Sequence, residues 1–305
     1  MYNMIRTVVK KYSRLYNLLR DIQIYQRRIR IKYFYKYTIK KDFYKNNGYK
    51  LNLDNPRSFN EKLQWLKYYY RDDIMEKCSD KVAARGIIAD FVGEKYLVPL
   101  YGVYDSFEEI DFTKLPEQFV LKPSHSSGRV VICKDKKQFD MDDARNKFAV
   151  WLKENYYYQN GEWVYKNIVP HIVCEQLLGG EIIDYKFMCF HGEPYIMFTC
   201  TEREVALKVT FFDMDFNRLP FIRKYISSNK HIEKPQNWEL MIELSRLLSK
   251  RFPFTRVDFY ENNGKLFVGE LTFFPGNGME WFEPIEWDYK IGEKLDLTKI
   301  GYGHD

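Results

Sequence analysis

Several features are missing or scarce in this sequence, and each absence removes a class of protein. No run of the 305 residues approaches the roughly 18–20 uninterrupted apolar positions of a membrane span, because Lys and Arg keep interrupting. The first residues hold no apolar signal core followed by a cleavage site, which argues against export. Cysteine is sparse: Cys78, Cys133, Cys174, Cys189 and Cys200 form an odd set with no C-x-x-C pair. That pattern fits reduced thiols in the cytosol and excludes a disulfide scaffold or a zinc ribbon. No repeat or low-complexity tract is present, and no G-x-x-x-x-G-K-[ST] phosphate loop occurs. His125, His171, His191 and His231 show no ligand spacing and read as surface or turn residues. No Ser/His/Asp or Cys/His arrangement suggests a dedicated nucleophile.

What is present reads as a soluble globular chain, 45% apolar and 30% charged. The net charge of +6 is unevenly placed. Residues 1–50 hold 14 of the 48 basic residues but only Asp21 and Asp42 of the acids, a local +12 that leaves the rest at −6. Residues 1–48 therefore form a basic, aromatic arm on a mildly acidic body. As an amphipathic helix the arm could pack on the body. As a peripheral anchor it could meet an anionic membrane face, where each basic side chain contributes ~1 kcal/mol. Basic-aromatic interleaving also serves RNA, the weakest of the three readings.

In the body, Ser58 and Glu61 have capping-box spacing, and Phe59, Leu63 and Leu66 follow as an apolar stripe. Ser79-Asp80-Lys81 opens a second helix reaching to about 91. Strands are expected over 96–104, 118–122, 129–134, 168–178 and 207–222, with a hairpin over 185–201 turning at His191-Gly192. Helices are expected over 142–154 and 237–252, the latter on Leu240, Met241, Leu244, Leu247 and Leu248. The pattern is α+β with largely antiparallel sheets.

The stretch 255–274 carries the most chemistry. Val257, Phe259, Phe267, Leu271 and Phe273 are all odd-numbered, and they share one face only if facing residues sum to an even number. A three-residue loop, Asn262-Asn263-Gly264, provides that register and sets Arg256 opposite Glu270 and Asp258 opposite Val268. Arg256, Asp258, Glu270 and Thr272 then crowd the other face. An exposed polar face is the plain reading. Leu266 and Val268 argue that this face is covered, and covered carboxylates want a cation, of which Mg²⁺ shared with phosphates is the natural choice. Earlier, Lys122 ends a strand and Ser126-Ser127-Gly128 follow, a loop suited to phosphates as well as to an ordinary turn. A strand ending in Glu175-Gln176-Leu177 could present backbone groups to an adenine, with Asp184 and Lys186 near enough for a ribose or a phosphate.

In this order the pieces resemble the ATP-grasp superfamily, and more closely its TupA-like branch, associated with teichuronopeptide and surface-polysaccharide synthesis. The resemblance covers about 51–297 and rests on five motifs: N-P-R-S-F-N-E-K-L-Q-W-L-K (55–67), S-D-K-V-A-A-R (79–85), F-V-L-K-P-S-H-S-S-G (119–128), D-Y-K-F-M-C-F-H-G-E (184–193) and R-V-D-F-Y with G-E-L-T-F-F-P (256–275). It implies an ATP-grasp fold holding a nucleotide between two antiparallel sheets, with ATP and Mg²⁺ activating a carboxylic acid as an acyl-phosphate for attack by an amine. By resemblance, Lys81 and Lys122 contact phosphates, and Ser126, Ser127 and Gly128 form the mobile phosphate loop. Glu175 with Gln176 and Leu177 matches the adenine hinge, and Asp184 the ribose carboxylate. Lys186 and Lys208 are candidates for the γ-phosphate. Asp258 and Glu270 match the Mg²⁺ ligands, and Arg256 the residue that steadies the acyl-phosphate. Two departures stand out: Thr272 occupies the place of a usual Asn metal ligand, with Asn277 nearby as a substitute, and Ser126 replaces a glycine.

The expected division is a basic arm (1–48), a preceding region (49–115), a small lobe with the phosphate loop (116–178) and a large lobe with the metal hairpin (179–305). The expected substrates are a carboxylate and an amine on small molecules or glycans, including lipid-linked glycans at the inner membrane face; nucleic acid is not expected. The main rival is a glycosyltransferase using Asp213-Met214-Asp215 as a D-x-D metal motif, although no parallel β-α-β unit opens the chain and two acids beside Asn217 also suit a turn. A non-catalytic scaffold is the third reading.

Overall fold

The computed structural model describes residues 13–180, 182–202 and 205–300. The part of the arm before residue 13 lies outside them. The helices are α1 (Ser13–Tyr33), α2 (Tyr35–Asn47), α3 (Phe59–Tyr69), α4 (Asp73–Ser79), α5 (Ala83–Val92), α6 (Met141–Trp151), α7 (Tyr157–Asn160), α8 (Trp238–Ser249) and α9 (Glu286–Gly292).

Ser58 starts α3 through the expected reciprocal cap: its hydroxyl accepts from the Glu61 amide at 3.1 Å, and Glu61 accepts from the Ser58 amide at 3.1 Å. Phe59, Leu63 and Leu66 then enter the main core, each contributing roughly 1.5–3 kcal/mol by burial. The helix expected from Ser79 begins later, at Ala83, because the Asp80 carboxylate caps a turn by accepting from the Val82 amide at 3.0 Å.

The arm does not end where charge suggests. Ile39 and Phe43 of α2 are buried in the main core, and Phe43 packs edge-on against Tyr49 at 5.0 Å. Helix α2 therefore belongs to the body, which corrects a boundary drawn at 48. The outer side of α1 and α2 exposes Tyr25, Tyr33, Phe34, Tyr37 and Tyr44 among Arg27, Arg28, Arg30, Lys32, Lys36, Lys40 and Lys41.

The strands are β1 (Leu100–Tyr104), β2 (Phe119–Pro123), β3 (Val131–Cys133), β4 (Ile172–Gln176), β5 (Asp184–Phe190), β6 (Glu193–Thr201), β7 (Lys208–Phe212), β8 (Ile222–Arg223), β9 (Phe254–Asn262), β10 (Lys265–Thr272) and β11 (Phe282–Glu283). They form an antiparallel sheet β1-β4-β2-β3, a five-stranded antiparallel sheet β10-β9-β5-β6-β7 and a pair β11-β8. Strand β1 joins the first sheet from ahead of residue 116, so that sheet reaches across the expected division. The second strand expected within 207–222 pairs instead with β11. A small core of Phe107, Phe119, Leu121, Phe148 and Ile172 lies under the first sheet, and the main core lies under the second. This is an α+β arrangement built on two antiparallel sheets.

The β9–β10 hairpin takes the even register only beyond Gly269, and by another route than a longer loop; before it Phe267 falls on the face of Asp258, and Leu266 and Val268 fall on the core face, the reverse of the expectation. Asn263 and Gly264 form a two-residue turn with φ of 51° and 72°, the twist-matching hairpin turn that Asn-Gly favours. Near the turn the pairing is Leu266 with Glu261 and Val268 with Phe259. A bulge at Gly269 then shifts the register, so Glu270 faces Asp258 and Thr272 faces Arg256. A side chain at 269 would place its Cβ 2.6 Å from the Tyr260 ring, so the bulge needs glycine.

Candidate active site

The bulge sets two carboxylates directly opposite each other, and β5 continues the row, because Lys186 faces Asp258. Like charges so placed repel, and the cations around them supply the remedy. The Arg256 guanidinium grips Asp258 with two bonds of 2.6 Å and donates to Glu270 at 3.1 Å and to the Thr272 hydroxyl at 3.0 Å. Lys186 donates to Asp258 and lies 3.6 Å from Asp184. The Thr272 hydroxyl also donates to Glu270 at 3.2 Å. Burial pushes the Glu270 carboxyl up, but Arg256, Lys186 and Lys81 outweigh it and hold it at about 2. Burial raises the Asp258 carboxyl against the pull of Arg256 and Lys186.

The first sheet and the segment before α5 supply the opposing charges. Lys122 Nζ and Arg85 Nη1 each bind one oxygen of Glu175 at 2.9 Å, and Arg85 is further tied to the Val98 carbonyl at 2.8 Å. Lys81 donates to the Ser126 carbonyl, and its amide donates to Ser124 O at 3.1 Å. Burial lowers the Lys81 ammonium; Glu270 and Glu175 raise it, and Lys122 lowers it further. Lys81 thus stands between the carboxylates of the second sheet and the Lys122–Glu175 pair of the first.

A cavity opens at each end of this charged strip. One, of about 740 Å³, is lined by Arg85, Leu97, Pro99, Gln176, Leu178 and Phe267. Phe267 shares the strip's face, since it pairs with Tyr260, which in turn faces Asp184. The other, of about 470 Å³, is lined by Arg256, Thr272, Ser127, Glu162, Tyr156 and Trp281, among others.

The structure gathers Arg256, Asp258, Glu270, Thr272, Asp184 and Lys186 on one face of the second sheet, with Lys81 near enough to feel the charge of Glu270 and Lys122 held on the first sheet by Glu175. It sets Lys208 apart. Lys208 faces Thr201, and Thr210 faces Thr199, which faces Tyr185, so alternation turns Lys208 to the opposite side of the sheet from Lys186. Gln176 is corrected in part, because its amide already donates to the Pro99 carbonyl at 2.9 Å; the first cavity is lined here by Gln176 and Leu178, and the Glu175 carboxylate is taken by Lys122 and Arg85. In the phosphate loop Ser126 is buried beside Lys81, whereas Ser127 and Gly128 are exposed. His125 is no surface residue: it is buried and bonds the Trp151 and Glu154 carbonyls at 3.0 and 3.1 Å.

Asn277 does not substitute for Thr272 at the carboxylates. Its Oδ1 accepts from Lys67 Nζ at 2.5 Å, and its carbonyl from Gln64 at 2.6 Å. The motif helix α3 therefore props the 275–278 loop on the wall of the second cavity. The donors left for a metal are two carboxylates and one hydroxyl. These hard oxygens suit a Mg²⁺ that completes its shell with phosphate oxygens and water; among the described residues no cluster of three or more His, Cys, Asp or Glu offers an all-protein site. Asp213 is engaged elsewhere, accepting from the Asp215 and Asn217 amides at 3.0 and 2.8 Å, so the D-x-D is a turn after β7.

Sequence reasoning missed Arg85, Lys67 and Glu162. The first two lie inside motifs quoted above, where their partners were invisible; Glu162 had only the surrounding tyrosines as a signal.

Comparison with known proteins follows the same lines. Among solved structures the chain is similar to the D-alanine–D-alanine ligase from Bacillus anthracis complexed with ATP (18% identity, TM-score 0.38, 64% of this chain and 53% of that one). It is also similar to D-alanine–D-alanine ligase from Helicobacter pylori (15%, 0.40, 81% and 70%) and to the ATP-grasp ligase PsnB complexed with minimal precursor, Mg and ADP (12%, 0.41, 73% and 59%). The chain thus spans 53% of the length of the first of these. Curated proteins return no match. The family model described as TupA-like ATPgrasp matches residues 61–296, most of the chain and every residue of the strip. The protein belongs to the TupA-like ATP-grasp family.

Proposed function

We propose that the protein is an ATP-dependent carboxylate–amine ligase that forms an amide through an acyl-phosphate. The observation that supports this most is the row Glu270–Asp258–Lys186, with Arg256 across its carboxylates, Lys81 facing it and a cavity at either end. A carboxylate barely reacts with an amine at neutral pH, because hydroxide is a poor leaving group. A phosphorylated carboxylate releases phosphate instead. The work left to the chain is positioning and positive charge. In this reading Lys81, Lys122 and Lys186 meet the phosphate oxygens, and the cavity by Phe267 and Gln176 takes the nucleoside. Arg256, on the border of the second cavity, steadies the oxygen that gains charge as the acyl group is attacked; one such donor is typically worth ~3 kcal/mol, about 100-fold in rate. Asp258 and Glu270, with Thr272 beside them, would hold Mg²⁺, which would supply charge neutralisation to the phosphates.

The acid or the amine is proposed to belong to a sugar or amino-acid component of a surface polysaccharide, lipid-linked and met at the cytoplasmic membrane face. The exposed basic and aromatic side of α1 and α2 supports this, since such a surface suits an anionic interface. No helix among the described residues is long and apolar enough to cross a membrane.

A nucleotide-release screen over uronic acids, amino sugars and amino acids tests the reaction. ADP release, with hydroxamate formed when hydroxylamine is added, is the expected result. UDP release from nucleotide sugars would favour a transferase, and release of neither nucleotide would favour a scaffold. Flotation with vesicles containing phosphatidylglycerol tests the membrane face, and binding equal to that of neutral phosphatidylcholine vesicles would remove it.

A further inference from the structure

The 470 Å³ cavity beside Arg256 contains a buried acid with no part in the strip. Glu162 follows α7, is 7% exposed and lines that cavity. The other acids on its wall are taken: Asp42 lies 3.6 Å from Arg30, and Glu280 lies 3.3 Å from Lys224 and 3.5 Å from Arg223. Glu162 forms no salt bridge among the described residues; its hydrogen-bond partner is Asn160. The nearest ammonium, Lys67, is engaged by Asn277 Oδ1 at 2.5 Å and the Asn160 carbonyl at 3.5 Å, and reaches Glu162 only through space. A buried carboxylate without a directly bonded cation is costly, and Lys67 offsets the charge of Glu162 only through space. Tyr165 lines the same cavity, and its hydroxyl is pushed up by burial and by the charges of Glu162 and Glu270. Tyr156 reaches Ser127 of the phosphate loop.

We propose that Glu162 receives the acceptor of the ligation as a primary ammonium and takes a proton from it. This rests on the ligase reading above. Glu162 accepts one proton from R–NH₃⁺, and the freed nitrogen lone pair forms the C–N bond to the acyl carbon. The C–O bond to phosphate then breaks with its electron pair on oxygen, and the second nitrogen proton leaves on the phosphate as HPO₄²⁻. Charge and atoms balance with Glu162 protonated at the end. The rings of Tyr156, Tyr165 and Trp281 and the amides of Asn46 and Asn160 line the space that would hold the rest of the acceptor, a sugar or an amino acid carrying the amine.

The test uses the full chain loaded with ADP and Mg²⁺, titrated with D-glucosamine and glycinamide as ammonium probes and N-acetyl-D-glucosamine as the uncharged control. An ammonium probe should bind the wild type and lose roughly tenfold or more in affinity in Glu162→Gln, the scale of one hydrogen bond to a charged group. ADP affinity should stay unchanged, and Glu162→Asp should recover part of the loss. Tighter binding of glucosamine would assign an amino sugar, and tighter binding of glycinamide an amino acid. In turnover, hydroxylamine is already neutral at pH 7 and needs no base, so Glu162→Gln should keep hydroxamate formation while amide formation falls about 100-fold. Equal probe affinity in both proteins overturns the proposal. So does failure of both probes to bind the ADP-loaded wild type, or loss of ADP binding, hydroxamate and amide together in the variant. If wild-type protein binds no ADP, the ligase reading itself falls, and that is seen before any probe is added.

Discussion

Two buried aspartates, one in α9 and one in β9, show how different partners fit a carboxylate for different work. Asp288, at 1% exposure, accepts from the Tyr49 hydroxyl at 2.6 Å and from the Asn60 amide and side chain at 2.9 Å each. These three donors are neutral, and they tie α9 to the start of α3. Asp258, at 0%, is held by two cations, Arg256 and Lys186, on a strand face that borders both cavities. Neutral donors make a joint that no ion displaces. Cations on a carboxylate can be redirected when a phosphate brings its own charge, so the same side chain serves a joint in one place and a binding site in the other.

The comparison can be broken most sharply at Asp258. Asp258→Asn should lower ADP-forming turnover about 100-fold while leaving the thermal midpoint far less affected than a change at Asp288; steady-state rates with varied Mg²⁺ check this, and undiminished turnover would remove the metal role. Asp288→Ala should do the reverse. It removes three hydrogen bonds, at about 1 kcal/mol each, so the unfolding free energy should fall by roughly 3 kcal/mol, while nucleotide affinity per folded molecule is kept; denaturant titration and ADP binding read the two effects. A smaller loss is expected from Lys122→Ala, about tenfold in ATP affinity, since Glu175 keeps Arg85 at 2.9 Å. Asp213→Ala marks the floor: a turn acceptor is lost at about 1 kcal/mol or less, and turnover should not change.

The balance of local and distant information follows the same division. The Ser58–Glu61 cap, the hairpin turning at His191-Gly192 and the alternation of β9 were legible because each depends on neighbours a few residues apart. The face shared by Arg256, Asp258, Glu270 and Thr272 was also legible, but the pairing that produces it was not: a bulge at Gly269 does what a longer loop was expected to do. Lys208 was misplaced because a lysine near a strand start says nothing about which side of a five-stranded sheet it takes. Glu162 was passed over because its significance lies in what surrounds it.

By itself, the amino-acid order determined most secondary elements and the α+β, largely antiparallel pattern, since periodicity and capping are local properties; the two-sheet architecture and the charged residues expected at a triphosphate were what the resemblance of its motifs implied. Only the tertiary structure decided that α2 belongs to the body, that Asn277 turns to Lys67 and that Gln176 donates to Pro99. It alone left Glu162 on a cavity wall with no cation bonded to it among the described residues. Those outcomes depend on packing and charge between segments as far apart as Lys67 and Asn277, and no short stretch of chain contains both halves of such a contact.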